Sequence, residues 1–360
     1  MRIKITCFCL TLISTTACFE NNAYEETLKG PAIYNAAMKQ LTDVIVYDIF
    51  SPPVASRVYT YPNIAAYEII SQAYPEDFIS LSGQLTDLTT IPKNEDPRVN
   101  MHLAALHAFF TVGTELIFSE EKMREFQNQT YQALKVDGLS HRVLKSSISF
   151  GDRVASHILK WADGVHYKGT RTDFKYSIRS QPQYWKPTPP DYMEGIEPHW
   201  NKIRTMVLDS AQQYIPKPPL LFSMDENSLF FKELMEVYSI GGQVENQGED
   251  IAKFWDCNPY VSHHRGHAMF ATKKITPGGH WMEISSIATS QADFTYAETI
   301  HAHTRVAISL FDAFISCWDE KWRSVVVRPE TLINGYIDED WVPLLQTPPF
   351  PEYTSGHSVI

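Results

Sequence analysis

The stretch KWRSVVVRP carries Lys321, six intervening residues, and then Arg328-Pro329; a second stretch, PFPEYTSGHS, carries Ser355, Gly356 and His357. A lysine and an arginine can bracket a multiply charged oxyanion, the arginine as a planar fork and the lysine as a point charge. Seven steps of helix rise about 10.5 Å and return almost to one face, which would bring both side chains to one anion. The Val325-Val326-Val327 run disfavours helix, so a bend after Lys321 is an equal alternative. Pro329 biases Arg328 toward extended backbone and so fixes its direction. Ser355 offers a hydroxyl, and Gly356 lets a backbone N–H approach an oxyanion closely. A helix beginning near Ser358 would add free N–H groups and hold His357 toward its neutral, proton-exchanging form. Together these residues suit a tetra-oxo anion, with an acid–base histidine at its edge. Singly, each would pass for a surface residue; their order and the PPFPEY lead-in make the combination specific.

The elements that must position these residues read as helices. Apolar residues Ile33, Ala36, Ala37, Leu41, Val44 and Ile45 share one helical stripe. Ser51 before Pro52-Pro53 is placed to start a second helix, with a kink expected at Pro62. VNMHLAALHAFFTVGTELIF is apolar nearly all round and belongs in a core. Ser119 is the expected cap of the next helix, with Glu120 and Glu121 in its first turn. SHRVLKSSISFGDRVASHILKWADG is long and should end near Gly164. Residues 30–164 therefore form an N-terminal helical region. Residues 165–225 hold a dense run of prolines, interleaved with tryptophan and tyrosine, and read as a long ordered excursion. Helices resume over residues 226–360, with period-2 patterns scarce. The expected class is all-α, a helical bundle with long proline-rich connections.

Net charge of −11 argues against nucleic acid as a partner. Residues 1–18 combine Arg2 and Lys4, a short apolar run and small residues before Cys18, the pattern of an exported leader. The ending STTAC resembles a lipobox. Cys18 would then be lipidated, placing the protein in the periplasm or at the outer membrane, held there only by that anchor. Cys257 and Cys317 can pair or stay as buried thiols. His263, His264, His267, His301 and His303 follow no zinc spacing and read as structural, whereas His280 is a candidate to approach the site. The pairs Gly241-Gly242 and Gly278-Gly279 read as turns.

The two charged segments resemble the first two signatures of the vanadium-dependent haloperoxidases, whose fold and anion site are shared with type 2 phosphatidic acid phosphatases. RVYTYPNIAAYE, GDRVASHILKWADG, PHWNKIRTMVLDSAQQYIPKPP and PGGHWMEI resemble the bacterial haloperoxidase-like group, so the likeness covers most of the chain after the leader. It implies vanadate as cofactor, with hydrogen peroxide and halide as substrates. Lys321, Arg328, Ser355 and the Gly356 N–H would hold equatorial oxygens, and Lys321 would polarise the peroxide. His357 would serve the apical oxygen, and Phe350 matches an aromatic beside the halide. The third signature, Ser-Arg followed by a histidine, would lie beyond Ile360 and supply the direct vanadium ligand. On that reading the 360 residues alone are inactive and expose apolar surface over residues 295–318. The alternatives are a phosphatase acting on phosphate esters and an inactive lipoprotein of the same fold.

Overall fold

The structure is a computed structural model that describes residues 22–241 and 246–360. The N-terminal helices are α1 (Ala23–Thr27), α2 (Ala32–Tyr47), α3 (Pro52–Ala73), α4 (Met101–Glu115), α5 (Glu120–Val136) and α6 (His141–Asp163). The proline-rich excursion adds only the short α7 (Tyr167–Thr170) and a single 3-10 turn at Trp200–Lys202. Then come α8 (Leu229–Gly241), α9 (Asn246–Trp255), the hairpin β1 (Tyr260–Arg265) and β2 (Ala268–Lys273), α10 (Pro277–Gln291), α11 (Tyr296–Ser324), α12 (Pro329–Tyr336) and α13 (Gly356–Val359). The described chain is thus mostly helical, as its sequence implies, with one small antiparallel ribbon added.

Helix α3 is the axis of the bundle and packs on α4, α6 and α11. Every residue from Pro52 to Ser71 is buried, although the segment contains Ser56, Thr60, Asn63 and Glu68. Those polar groups are satisfied within the core. Thr60 Oγ1 donates to the carbonyls of Ser56 (2.7 Å) and Ala307 (2.9 Å), and Asn63 Oδ1 accepts from Tyr34 (2.7 Å). Glu68 accepts from Ser80 (2.7 Å) and from the Leu81 N–H (2.6 Å). Paired polar groups can be buried at little net cost, so a helix without an apolar stripe can still occupy the centre. Pro62 lies inside α3, where it can donate no backbone hydrogen bond. At the crossing of α4 and α6, a Cβ on Gly151 would come within 2.8 Å of the Ala104 carbonyl. Glycine there sets the closeness of the two helices.

Several local expectations change. Ser51 and Ser119 stand at the N-caps of α3 and α5, but neither side chain caps its helix. Ser119 instead donates through Oγ and its N–H to Asp48, and Ser51 Oγ donates to Glu197 Oε1 at 3.4 Å. Ser140 does cap α6, accepting from the Val143 N–H. Gly278-Gly279 is no turn: it opens α10, where a Cβ on Gly279 would lie 2.8 Å from the Tyr59 hydroxyl. Gly241 closes α8, and Gly242 lies outside the described residues. The hairpin pairs Arg265 with Ala268 around a two-residue Gly266-His267 loop, with Gly266 at φ +58°. Glycine first in such a loop matches the right-handed strand twist.

The excursion is tied to α11. Asp312 accepts the backbone N–H groups of Met206 (2.7 Å), Val207 (2.8 Å) and Leu208 (3.0 Å). Trp318 and Trp322 both donate their indole N–H to the Ile196 carbonyl at 3.1 Å. Trp185 and Trp200 are fully buried, and a Cβ on Gly195 would overlap the Trp322 ring. The apolar exposure expected over residues 295–318 is not found: the exposed residues there are Thr295, Glu298, Arg305 and Ser309. The apolar side chains of α11 point into the bundle.

Candidate active site

Helix α11 starts with a capping box between Thr295 and Glu298 and ends where Val325 turns left-handed at φ 52°. The bend after Lys321 is therefore the alternative the chain adopts, and the valine run is the reason: β-branched residues resist continuing the helix. Val326 bridges to Tyr184, the Trp185 N–H donates to the Val325 carbonyl (2.9 Å), and the Val327 N–H donates to Gln183 (3.0 Å). The excursion thus forms one wall that holds the connection between α11 and α12. Arg328 is extended (φ −76°, ψ 142°) as residue N-cap of α12, with Pro329 starting the helix.

Lys321 and Arg328 are both buried and grip the segment from Phe350 to Glu352. Lys321 Nζ donates to the carbonyls of Pro351 (2.9 Å) and Glu352 (3.1 Å). Arg328 Nε donates to the Phe350 carbonyl (2.6 Å) and Nη1 to Glu352 Oε2 (2.7 Å). The Phe350 ring lies 4.9 Å from the ammonium and 4.8 Å from the guanidinium carbon, and packs on Trp318. Burial, then the nearby Arg328 charge, lowers the Lys321 pKa to about 8. Arg328 Nη2 is buried without a hydrogen-bond partner.

Ser355 is the residue before α13 and its Oγ accepts from the Ser358 N–H (3.3 Å). A Cβ on Gly356 would meet no protein atom within 4 Å, so packing alone does not require glycine there. His357 Nε2 donates to the Trp255 carbonyl at 2.8 Å, which leaves Nδ1 as the free ring nitrogen. Lys321, Arg328, Phe350, Ser355, Gly356 and His357 all line one cavity of about 390 Å³. The two charged segments singled out by residue type are thus brought together.

Other residues of that cavity carry no motif. Glu330 lies two positions after Arg328; burial raises its carboxyl pKa, opposed by Thr347 and the Arg328 charge. Asn258 and Trp341 also face the cavity. Only adjacency to the Arg-Pro pair could have pointed to Glu330. His280 sits one ring away: it stacks on Trp255 at 5.0 Å and lines an adjoining cavity that His357 shares. Cys257 and Cys317 are separate buried thiols, and burial pushes Cys257 up to about 11. His303 is buried in the bundle beside Asn35 Oδ1 (2.9 Å), far up α11 from Lys321, and burial lowers it to about 4. His263 contacts Thr272 Oγ1 on the hairpin at 2.9 Å. His301 packs between Tyr67 and Phe78. Among the described residues, no group of three or more His, Cys, Asp or Glu is gathered for a metal ion. Cys18 and the side chain of His264 lie outside the described residues.

The family model of the VCPO second helical-bundle domain matches residues 301–360, the part of the chain that contains both charged segments. A bacterial vanadium-dependent iodoperoxidase of known structure is 46% identical, with a TM-score of 0.85 over 91% of this chain and 78% of that one. Apo and holo structures of a bacterial vanadium-dependent chloroperoxidase share the fold at 15% and 16% identity, with TM-scores of 0.60 and 0.61. Each aligns 86% of this chain with 74% of that one. No curated protein sequence matches the chain. The chain belongs to the vanadium-dependent haloperoxidase family, a family of enzymes.

The donors of the cavity fit vanadate. An ammonium keeps one N–H after two carbonyl bonds, and the guanidinium keeps one buried nitrogen unpartnered. Hard oxyanions are held by such fixed N–H groups and cations.

Proposed function

We propose that the protein binds vanadate between Lys321, Arg328 and the Ser355–His357 segment and oxidises halide with hydrogen peroxide. The observation that carries this reading is the convergence of two buried cations and the Ser-Gly-His segment on one cavity, with Arg328 Nη2 left to bind an oxyanion. Iodide is the proposed halide, because the relative at 46% identity is an iodoperoxidase.

Lewis-acid activation of hydrogen peroxide is the chemistry vanadate supplies when bound. The chain's own part is positioning and charge. Lys321 and Arg328 give fixed positive charge against walls of Phe314, Trp318 and Phe350. In such poorly hydrated surroundings electrostatic stabilisation exceeds its value in water. The Ser355 hydroxyl accepts from Ser358 and remains free to donate its own proton to an anion oxygen. The Gly356 N–H is one of the first-turn groups that have no partner within a helix. The bond from His357 Nε2 to Trp255 fixes the ring, so Nδ1 can take or give a proton at the mouth of the cavity. Phe350, held between both cations, is the proposed halide wall. We place the protein outside the cytoplasm, tethered by a lipid on Cys18.

The test uses protein expressed from the complete gene, loaded with vanadate and given iodide and peroxide. Triiodide should form only when all three are present. Hydrolysis of an aryl phosphate with no peroxide-dependent oxidation of iodide would replace this reading with the phosphatase one.

A further inference from the structure

Glu352 brings a negative charge up to the two cations. Its carboxylate accepts from Arg328 Nη1 at 2.7 Å, and Lys321, Arg328 and Glu352 line the same cavity. Among the described residues, this is the one ion pair that either cation makes. The backbone of Glu352 is pinned: its carbonyl accepts from Lys321 Nζ (3.1 Å), and its N–H donates to the Val326 carbonyl (3.0 Å). The side chain is held more loosely. It is 42% exposed, and Arg328 is the only hydrogen-bond donor to its carboxylate among the described residues. Of the other carboxyls lining the cavity, Asp256 is paired with Lys274, and burial raises the pKa of Glu330.

An arginine grips an oxyanion most strongly through two of its nitrogens. Nε of Arg328 is bound to the Phe350 carbonyl, a backbone atom of the segment that both cations hold. A two-point grip on an anion therefore has to use Nη1, where the Glu352 carboxylate sits in the empty site. An anion arriving beside an unmoved carboxylate would also be repelled by its charge.

We propose that Glu352 is an internal counter-ion that sets the anion affinity of this site: it occupies Arg328 in the empty cavity and turns out to solvent when an oxyanion binds. The inference rests on this cavity being the oxyanion site, and it adds what weakens the grip of that site and which residue does so. In the empty cavity the carboxylate compensates a buried charge that would otherwise stand unpaired. In the filled cavity the anion takes over that role.

Sulfate and perchlorate are tetra-oxo anions of similar size that differ in charge. At about pH 6, well below the Lys321 pKa of about 8, both cations are charged and neither anion titrates. Glu352→Gln keeps an acceptor oxygen for Arg328 Nη1 and removes the charge. Calorimetric titration of the full chain should show sulfate binding roughly tenfold more tightly to Glu352→Gln than to the wild type. Perchlorate should gain only about threefold, because the repulsion scales with the charge of the ligand. Unchanged or weaker sulfate binding in Glu352→Gln, or equal gains for the two anions, overturns this inference alone. Binding of neither anion to either protein overturns both this inference and the oxyanion site. The wild-type chain supplies a second test that needs no variant. In a crystal soaked in sulfate, the anion should stand about 3 Å from Arg328 Nη1, with the Glu352 carboxylate turned away. Glu352 still bonded to Nη1 beside a bound sulfate overturns the inference alone.

Discussion

Replacing Lys321 with methionine isolates the cost of its buried charge. The folded pKa is about 8 against 10.5 for a free lysine, a gap caused first by burial and then by Arg328. The unfolded chain therefore binds a proton at Lys321 between about pH 8 and 10.5 that the folded chain does not hold. Stability rises with pH wherever the unfolded state binds more protons, so the wild-type chain gains as pH climbs through this window. The penalty is fully present below the folded pKa and is relieved by the time the unfolded pKa is passed. At 1.36 kcal/mol per pK unit, the swing is about 3 kcal/mol. Lys321→Met lacks it. The variant also loses the donors to the Pro351 and Glu352 carbonyls, worth about 1–3 kcal/mol each if left unpaired, but that loss does not depend on pH. Urea unfolding of both proteins from about pH 7 to 11 measures the difference. Other lysines titrate in both chains and cancel. The difference should move about 3 kcal/mol in favour of wild type as pH rises. A difference that stays flat across the range would refute the burial-driven depression of Lys321.

Arg328→Lys keeps the charge but removes the fork that bonds Phe350 and Glu352 and, on the proposed function, the anion; phosphate affinity measured by calorimetry should fall roughly 10- to 100-fold. Asp312→Ala leaves the N–H groups of Met206, Val207 and Leu208 without their acceptor. Urea unfolding should show a loss of about 3 kcal/mol or more, with residues 203–208 opening first in hydrogen exchange. Cys18→Ser should move the protein from the detergent to the aqueous phase in a phase-partition assay of cell extracts, and retention in the detergent phase would exclude a lipid on Cys18.

What could be read from the sequence was whatever depends on local periodicity or on a dense set of chemically matched residues. The long helices α6 and α11 carry regular apolar stripes, and their limits fall where Gly164 and the valine run interrupt them. The central role of α3 was hidden because Ser56, Thr60, Asn63 and Glu68 break its apolar pattern; Ser56 is satisfied by the Pro53 carbonyl of its own helix, whereas Thr60, Asn63 and Glu68 find partners elsewhere in the fold. Caps at Ser51 and Ser119 were placed correctly along the chain, but tertiary acceptors drew both hydroxyls away. The hairpin escaped notice because SHHRGH attracts attention as a histidine cluster, although Gly266 followed by one residue is a two-residue hairpin loop. In the site, Lys321, Arg328, Ser355, Gly356 and His357 stood out by type and spacing, and the fold gathers them. Glu330, Asn258 and Trp341 could not be found that way, because only the turn after α11, the connection from α9 to β1 and the path of the 341–350 segment bring them to one cavity.

The central claim is that Lys321, Arg328 and the Ser355–His357 segment together hold one tetra-oxo anion. A crystal of the protein soaked in vanadate tests it most directly. The anion should lie in this cavity, with its oxygens about 3 Å from Arg328 Nη2 and Lys321 Nζ. An anion bound elsewhere, with both cations still held only by the Phe350–Glu352 segment, would contradict the account.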